Sequence, residues 1–319
     1  MRPGFRFVVC AFAVCLAGVA GWAPSRTADG HPDMQGFWTN ATYTPLERPK
    51  ELGTKEFFTE AEAAAFEKQK LQQDNSQSPN DVHYDNAIWQ GEKYQKTVSN
   101  RRTSIIYDPP DGRIPPLNEE GKKQAVAHAA AARRRQAAES AQDRSLAERC
   151  IAWGNEGPPM LGSTYNANLE IIQPPNAFAI HHEIIHGVRY IPTGGQPHLP
   201  ASVHQLGGDS RGHWEGDTLV VDTTGFNDET NFRPPPANGR QDIFSDHNLH
   251  VVERFTMLGP DTIQYRFTVE DPTVWTKPWS GEMMLRRFGG PIFEYACHEG
   301  NYGLADILAA ARAAEKAGK

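Results

Sequence analysis

Apolar residues along this chain fall into three regimes. Residues 7–23 (FVVCAFAVCLAGVAGWA) form one nearly unbroken apolar run behind Arg2 and Arg6, and the run breaks at Pro24. A basic start, a short apolar core and small residues at its end describe a secretory signal peptide over residues 1–23, cleaved after Ala20, Gly21 or Ala23. The run is shorter than the ~20 apolar residues of a spanning helix, so no stable membrane span is expected after cleavage. From 24 to 160 the pattern is mixed. Gly36-Phe37-Trp38-Thr39 opens a strand, and Thr59 with Glu62 fits a capping box ahead of the helix AEAAAFEKQKLQQ. Residues 74–100 read as irregular, and 101–117 (RRTSIIYDPPDGRIPPL) as a short strand entering a Pro/Gly turn. Asn118 then caps an Ala-rich helix with Glu119 and Glu120 at its head and Arg133, Arg134 and Arg135 at its tail, a polarity that complements the helix dipole.

From about residue 165 the period becomes two, the spacing of half-buried strands. Residues 168–173 form a short strand, and 177–191 read as one long β-branched strand. HWEGDTLVVDTTGF (213–226) turns at Glu215-Gly216-Asp217 into the next strand. LHVVERFTM and TIQYRFTVED form a hairpin around Gly259-Pro260-Asp261, with Ile263, Tyr265, Phe267 and Val269 on one face. TVWTKPWSGEMMLRRF is a further strand and LADILAAARAAEKAGK a terminal helix. Antiparallel strands at this spacing make a sandwich or an up-and-down barrel.

Composition narrows the classes. The 319 residues carry 32 Lys+Arg against 39 Asp+Glu, a net charge of -7, and loss of Arg2 and Arg6 with the signal peptide takes this to about -9. A mildly acidic chain with no dominant basic face is not built for nucleic acid. Hydrophobic residues at 39% and aromatics at 10% supply a core, while 24 prolines and 28 glycines imply many turns. The expected location is exported, either periplasmic or extracellular. There, Cys10 and Cys15 are removed with the leader, and the remaining Cys150 and Cys297 are expected to form one disulfide. Closing a loop of about 150 residues is worth roughly 5 kcal/mol in the chain-entropy model. It would pin ERCIAWGNEGPP to EYACHEGNYG.

Gly36-x-Trp38 at the first strand, with a helix after the last, resembles the lipocalin or calycin arrangement. That resemblance implies a tryptophan plugging one barrel end under an arginine of the final strand, here Arg286 or Arg287. More widely, RTSIIYDPPDGRIPPL, GDSRGHWEGDTLVVDTTGFND and EYACHEGNYG resemble a large family of exported bacterial proteins of unknown function, which carries no catalytic residues over to this chain. The fold class is therefore mainly β: an antiparallel lipocalin-like barrel with a helical N-terminal insertion and a C-terminal helix. Residues 24–160 (strand plus insertion) and 161–319 (barrel portion plus helix) form one structural unit.

The sharpest chemical signal is His182-Glu183-Ile184-Ile185-His186. On a helix, H-E-x-x-H places two His one turn apart to share a zinc ion, with Glu183 activating its water. The surrounding Ile and Val, Gly187, and the flanking Pro175 and Pro192 favour a strand instead, which projects His182 and His186, or Glu183 and Arg189, into a barrel interior. Asp222 sits mid-strand, facing outward or buried with a partner. Glu253, between Val251 and Phe255, could point inward as an acid–base group. His298 and Glu299 flank Cys297 and could supply a base or a metal ligand. No phosphate loop, dinucleotide fingerprint, nucleophile elbow or CxxC occurs. Three functions fit. One is an exported enzyme acting on a small organic substrate by acid–base hydrolysis, elimination or isomerisation. Another is a non-catalytic carrier of a hydrophobic or aromatic ligand. The last is a zinc hydrolase using His182 and His186. The first two need no cofactor.

Overall fold

The structure is a computed structural model that describes residues 22–75, 99–135, 138–154, 156–162, 166–229, 244–245 and 247–318. Most of the expected signal peptide, most of the irregular 74–100 segment and the side chains of Arg133, Arg134 and Arg135 lie outside the described residues. No described helix is long and apolar enough to cross a membrane.

Among the described residues there are ten antiparallel strands: β1 (Gly36–Thr39), β2 (Ile106–Asp108), β3 (Asn168–Ile172), β4 (Ala177–His182), β5 (Val188–Pro192), β6 (Asp209–Glu215), β7 (Thr218–Thr224), β8 (His250–Gly259), β9 (Thr262–Glu270) and β10 (Trp279–Arg287). Nine of them follow the order β5-β4-β3-β1-β10-β9-β8-β7-β6, and β2 pairs with the start of β10. This is a nearly closed lipocalin-like barrel. Its two end strands, β5 and β6, face each other across a seam that no strand ladder bridges among the described residues. β6 packs against the end of β5 at Gly212, where an added Cβ would lie 2.8 Å from Thr193 Cγ2 and 3.1 Å from Ile191 Cγ2.

The inward faces are those the alternation predicts. Ile263, Tyr265, Phe267 and Val269 are buried on β9. An aromatic row fills the interior from Phe178 through Phe255, Tyr265 and Phe267 to Trp279, with ring centroids 5.0–5.8 Å apart. Trp38 is fully buried and donates its Nε1–H to Met34 O at 2.9 Å. The Arg287 guanidinium, on the last strand, lies 4.0 Å from the Trp38 ring centroid. Of the two expected arginines it is Arg287 that covers the tryptophan; Arg286 instead bonds Thr262 Oγ1 at 3.1 Å.

The insertion carries helix α1 (Glu60–Asn75) and helix α2 (Glu119–Arg135). Both predicted caps form. Thr59 N–H donates to Glu62 Oε2 at 2.8 Å, and Asn118 Oδ1 accepts Gly121 N–H at 2.8 Å. Buried Glu282 fastens the insertion to the barrel wall through Arg102, Asn100, Gln264 and Arg266. Cys150 and Cys297 are joined in a disulfide with Cα atoms 5.7 Å apart. The terminal helix α3 (Tyr302–Lys316) starts at Asn301, whose amide donates to Glu148 O at 2.8 Å, so the disulfide and the cap fix the same junction.

One expectation fails. Residues 177–191 are two strands, not one, reversed through a single 3-10 turn at Ile184–His186. Neither the helix nor the continuous strand considered for His182–His186 exists.

Trp38 and Arg287 set a graded test of the barrel end. Truncating a fully buried tryptophan costs about 3–5 kcal/mol, whereas losing a cation over its face costs about 0.5–2 kcal/mol. Urea unfolding of Trp38→Ala and Arg287→Ala should show that order. Equal losses would mean that the arginine, not the ring, holds this end.

Candidate functional site

The site follows from the seam. Ile180 pairs with Arg189 and Phe178 with Ile191, so Arg189 shares the inward face of β4 and β5. Its Nη1–H donates to Glu253 Oε1 at 2.9 Å, and its Nη2 closes a second, shorter contact with Glu253 Oε2. Nε–H and Nη2–H reach Ser210 Oγ at 3.1 and 3.0 Å, and Nη2–H also reaches Thr223 Oγ1 at 3.0 Å. One side chain from β5 therefore binds β6, β7 and β8. Tyr265 adds β9: its hydroxyl donates to Glu253 Oε1 at 2.7 Å and accepts Met160 N–H at 2.8 Å. Burial and the Glu253 charge hold that hydroxyl well above the usual tyrosine range. Glu253 points inward as anticipated, yet it serves as the counter-charge of Arg189 and not as a free acid.

Above this cluster the seam opens into a cleft of about 610 Å³. Its walls are the segment 151–159 behind the disulfide, the edges of β5 and β6, and the loop 199–208. Two polar groups in its lining stand apart. His182 is 3% exposed, and among the described residues its Nε2 has no hydrogen-bond partner. Burial, then the charge of Arg189, then that of His181, hold the imidazole down at about 3, so it is neutral. Glu156 accepts Trp153 N–H on Oε2 at 3.2 Å, while its buried Oε1 has no partner among the described residues. Burial pushes this carboxyl up to about 7, opposed only by the Trp153 N–H. Gly187 makes the fit: a Cβ there would lie 2.7 Å from Glu156 Oε1.

The other predicted residues divide clearly. Glu183 is buried but structural, accepting from Asn168 Nδ2 at 2.8 Å and from Phe293 N–H at 3.2 Å. His186 is exposed at the end of the turn, where its Nδ1 accepts Tyr295 N–H at 3.5 Å. His182 and His186 are thus a core residue and a surface residue. No trio of His, Cys, Asp or Glu among the described residues is arranged to hold a metal. His298 and Glu299 are exposed and do not line the cleft.

Asp222 faces outward, with two partners: His198 Nε2 at 3.0 Å and His250 Nε2 at 2.9 Å. His198 Nδ1 meets Asp209 Oδ2 at 2.8 Å, and Asp209 also accepts Leu199 N–H at 2.9 Å. This polar chain ties the outer cleft loop to β6, β7 and β8. Asp209 and Ser210 are buried residues of β6.

Glu156, Ser210, Thr223 and Tyr265 were not predicted site residues. The available signal for Glu156 was its place between Cys150 and Pro158-Pro159, where a disulfide confines a carboxylate beside Trp153. Comparison with known proteins adds no assignment: no protein-family model and no curated protein matches the chain.

Two predictions follow from these contacts. Removing one partner of a buried ion pair costs about 3–5 kcal/mol, so Arg189→Met and Glu253→Leu should each destabilise strongly. The double variant should lose much less than their sum; additive losses in a urea double-mutant cycle would show that the pair does not couple. The second concerns His250, which is raised first by its bond to Asp222 and then by the charges of Asp222 and Glu270. Protonation there stabilises the fold below the ordinary histidine range, and the gain is lost as pH rises through the folded value. The urea midpoint difference between wild type and His250→Asn should therefore be larger at pH 5.5 than at pH 8.5.

Proposed function

We propose that the protein is an exported enzyme that binds a small organic molecule in the seam cleft and moves a proton on it with Glu156. The supporting observation is one pair of atoms: His182 Nε2 and Glu156 Oε1, buried in the lining of the same cleft and without partners among the described residues. Leaving a buried polar group unpaired costs about 1–3 kcal/mol, and a ligand that bonds both atoms recovers that cost. A carboxyl at about 7 changes protonation near neutrality, the condition for efficient proton transfer. Neutral His182 is suited to orient the ligand by a hydrogen bond and not to titrate. Glu156 acts as the base and returns the proton in a second step, which accommodates hydrolysis, elimination or isomerisation. Export is supported by the disulfide and by the basic start and short apolar run of residues 1–23, which read as a signal peptide.

The carrier reading is less well supported. It needs an apolar lumen with His182, His186 and Glu253 turned away; His186 is exposed, whereas His182 and Glu253 are buried and aromatic rings pack beside them.

The test is Glu156→Gln, screened by NMR with wild type against neutral esters, lactones and β-hydroxy ketones. Wild-type turnover should rise with pH through about 7 and fall by about 10²–10⁴-fold in the variant. Gly187→Ala, whose φ of -59° suits alanine, should displace the carboxyl and lower turnover without unfolding the protein. Stability gives an independent readout. A carboxyl raised in the folded state loses stability as pH climbs from the unfolded value towards about 7, so Glu156→Gln should be more stable than wild type at pH 8. Unchanged turnover in the variant, or a Glu156 that titrates like an exposed carboxylate, would sink the proposal.

A further inference from the structure

The charges bordering the cleft are cancelled within the protein, which bears on what can enter. Resting on the seam cleft being the ligand site, we propose that it selects uncharged ring compounds carrying a hydrogen-bond donor and acceptor over their anionic and cationic counterparts. Two arginines border the cleft, and neither offers a free fork. Arg189 is held by Glu253, Ser210 and Thr223. Arg211 meets Asp209 Oδ1 at 2.7 Å and donates to the Pro197 and Ser210 carbonyls at 2.8 and 2.9 Å. Among the described residues an anionic ligand therefore finds no unmatched cation in the lining, and recruiting one would strip a buried carboxylate of its partner.

A cationic ligand fares no better. Glu253 is fully buried behind Arg189, and both Asp209 oxygens are occupied, by Arg211 on one side and by His198 and Leu199 N–H on the other. Among the described residues, the buried lining atoms without a partner are Glu156 Oε1 and His182 Nε2, and both side chains are neutral at mildly acidic pH. The rim carries Trp153, Val188, Tyr190 and Leu199, of which Val188, Tyr190 and Leu199 are large apolar side chains left exposed. Apolar walls around a few convergent polar atoms suit a flat ring with a polar substituent. A charged ligand would desolvate its charge against these walls with no protein charge to meet it.

Three near-isosteric probes test this: benzamide, benzoate and benzamidine, neutral, anionic and cationic at pH 6. Their affinities for the full-length protein are measured by NMR titration, with the shifted amide signals mapped onto the seam. Benzamide should bind at the cleft with roughly tenfold or greater preference over either ion, equivalent to about 1.4 kcal/mol. A second arm frees each arginine in turn: Glu253→Gln and Asp209→Asn should raise benzoate affinity and erase the benzamide advantage. If either variant fails to fold, the wild-type ranking decides alone. Cleft binding in which benzoate or benzamidine equals benzamide overturns the selectivity and leaves the cleft reading standing. No shift at the seam with any probe overturns the cleft reading, and this proposal with it.

Discussion

The architecture turns on the Arg189 guanidinium. A nine-strand barrel whose end strands do not pair leaves two exposed backbone edges, an arrangement prone to slippage and association. Arg189 replaces the missing ladder with side-chain bonds, reaching from β5 to Ser210, Thr223 and Glu253 on three successive strands. Tyr265 extends the network to β9 and, through Met160 N–H, to the segment behind Cys150. Below this level Ile191 and Thr193 pack against Gly212, and the seam is closed by contact. Among the described residues no strand ladder joins β5 to β6, and the cleft lies along this opening. The interaction that closes the barrel therefore also sets the floor of the site.

The polar groups near the seam fall into two populations. Those with full charges, Arg189 with Glu253 and Arg211 with Asp209, are paired and serve the fold. Those lacking a partner among the described residues, His182 Nε2 and Glu156 Oε1, belong to groups whose charged forms burial disfavours. The separation is physically consistent. An unpaired ion in this lining costs more than an unpaired neutral dipole, which is why the Glu156 carboxyl ionises only near 7. The outer wall is tied to the cleft through Asp209, which pairs with Arg211 on one oxygen and with the His198–Asp222–His250 chain on the other.

How much of this was legible in the sequence depends on how local its cause is. The burial of Ile263, Tyr265, Phe267 and Val269 follows from strict alternation, and the Thr59 and Asn118 caps follow from residues three positions apart. The Trp38–Arg287 stack was anticipated by resemblance, and the disulfide by counting cysteines. The site was only half legible. His182, Arg189 and Glu253 are inward, but the role of Glu253 depends on a partner 64 residues away that no period reveals. Glu156 lies in an irregular, proline-rich segment, and its raised carboxyl is a consequence of tertiary burial alone.

The misread turn shows why. Ile184, Ile185 and Val188 are strand formers, and nothing in 183–187 supplies the usual reversal residues except Gly187. Ile185 and His186 nonetheless occupy the left-handed region, at φ of 53° and 55°, which costs on the order of 1–3 kcal/mol each. Distant contacts hold them there: Ile184 is fully buried, Glu183 bonds Asn168 and the Phe293 amide, and His182 N–H donates to Gly187 O at 2.8 Å. The reversal also changes parity. In a continuous strand with His182 inward, Arg189 would face solvent and His186 would enter the barrel. Folding back at Glu183 turns Arg189 inward beside His182, and it leaves Gly187 where a glycine is needed to seat the Glu156 carboxyl. The strained turn thus puts the seam clamp, the neutral imidazole and the raised carboxyl around one opening, an arrangement that an unstrained reading of this segment would not produce.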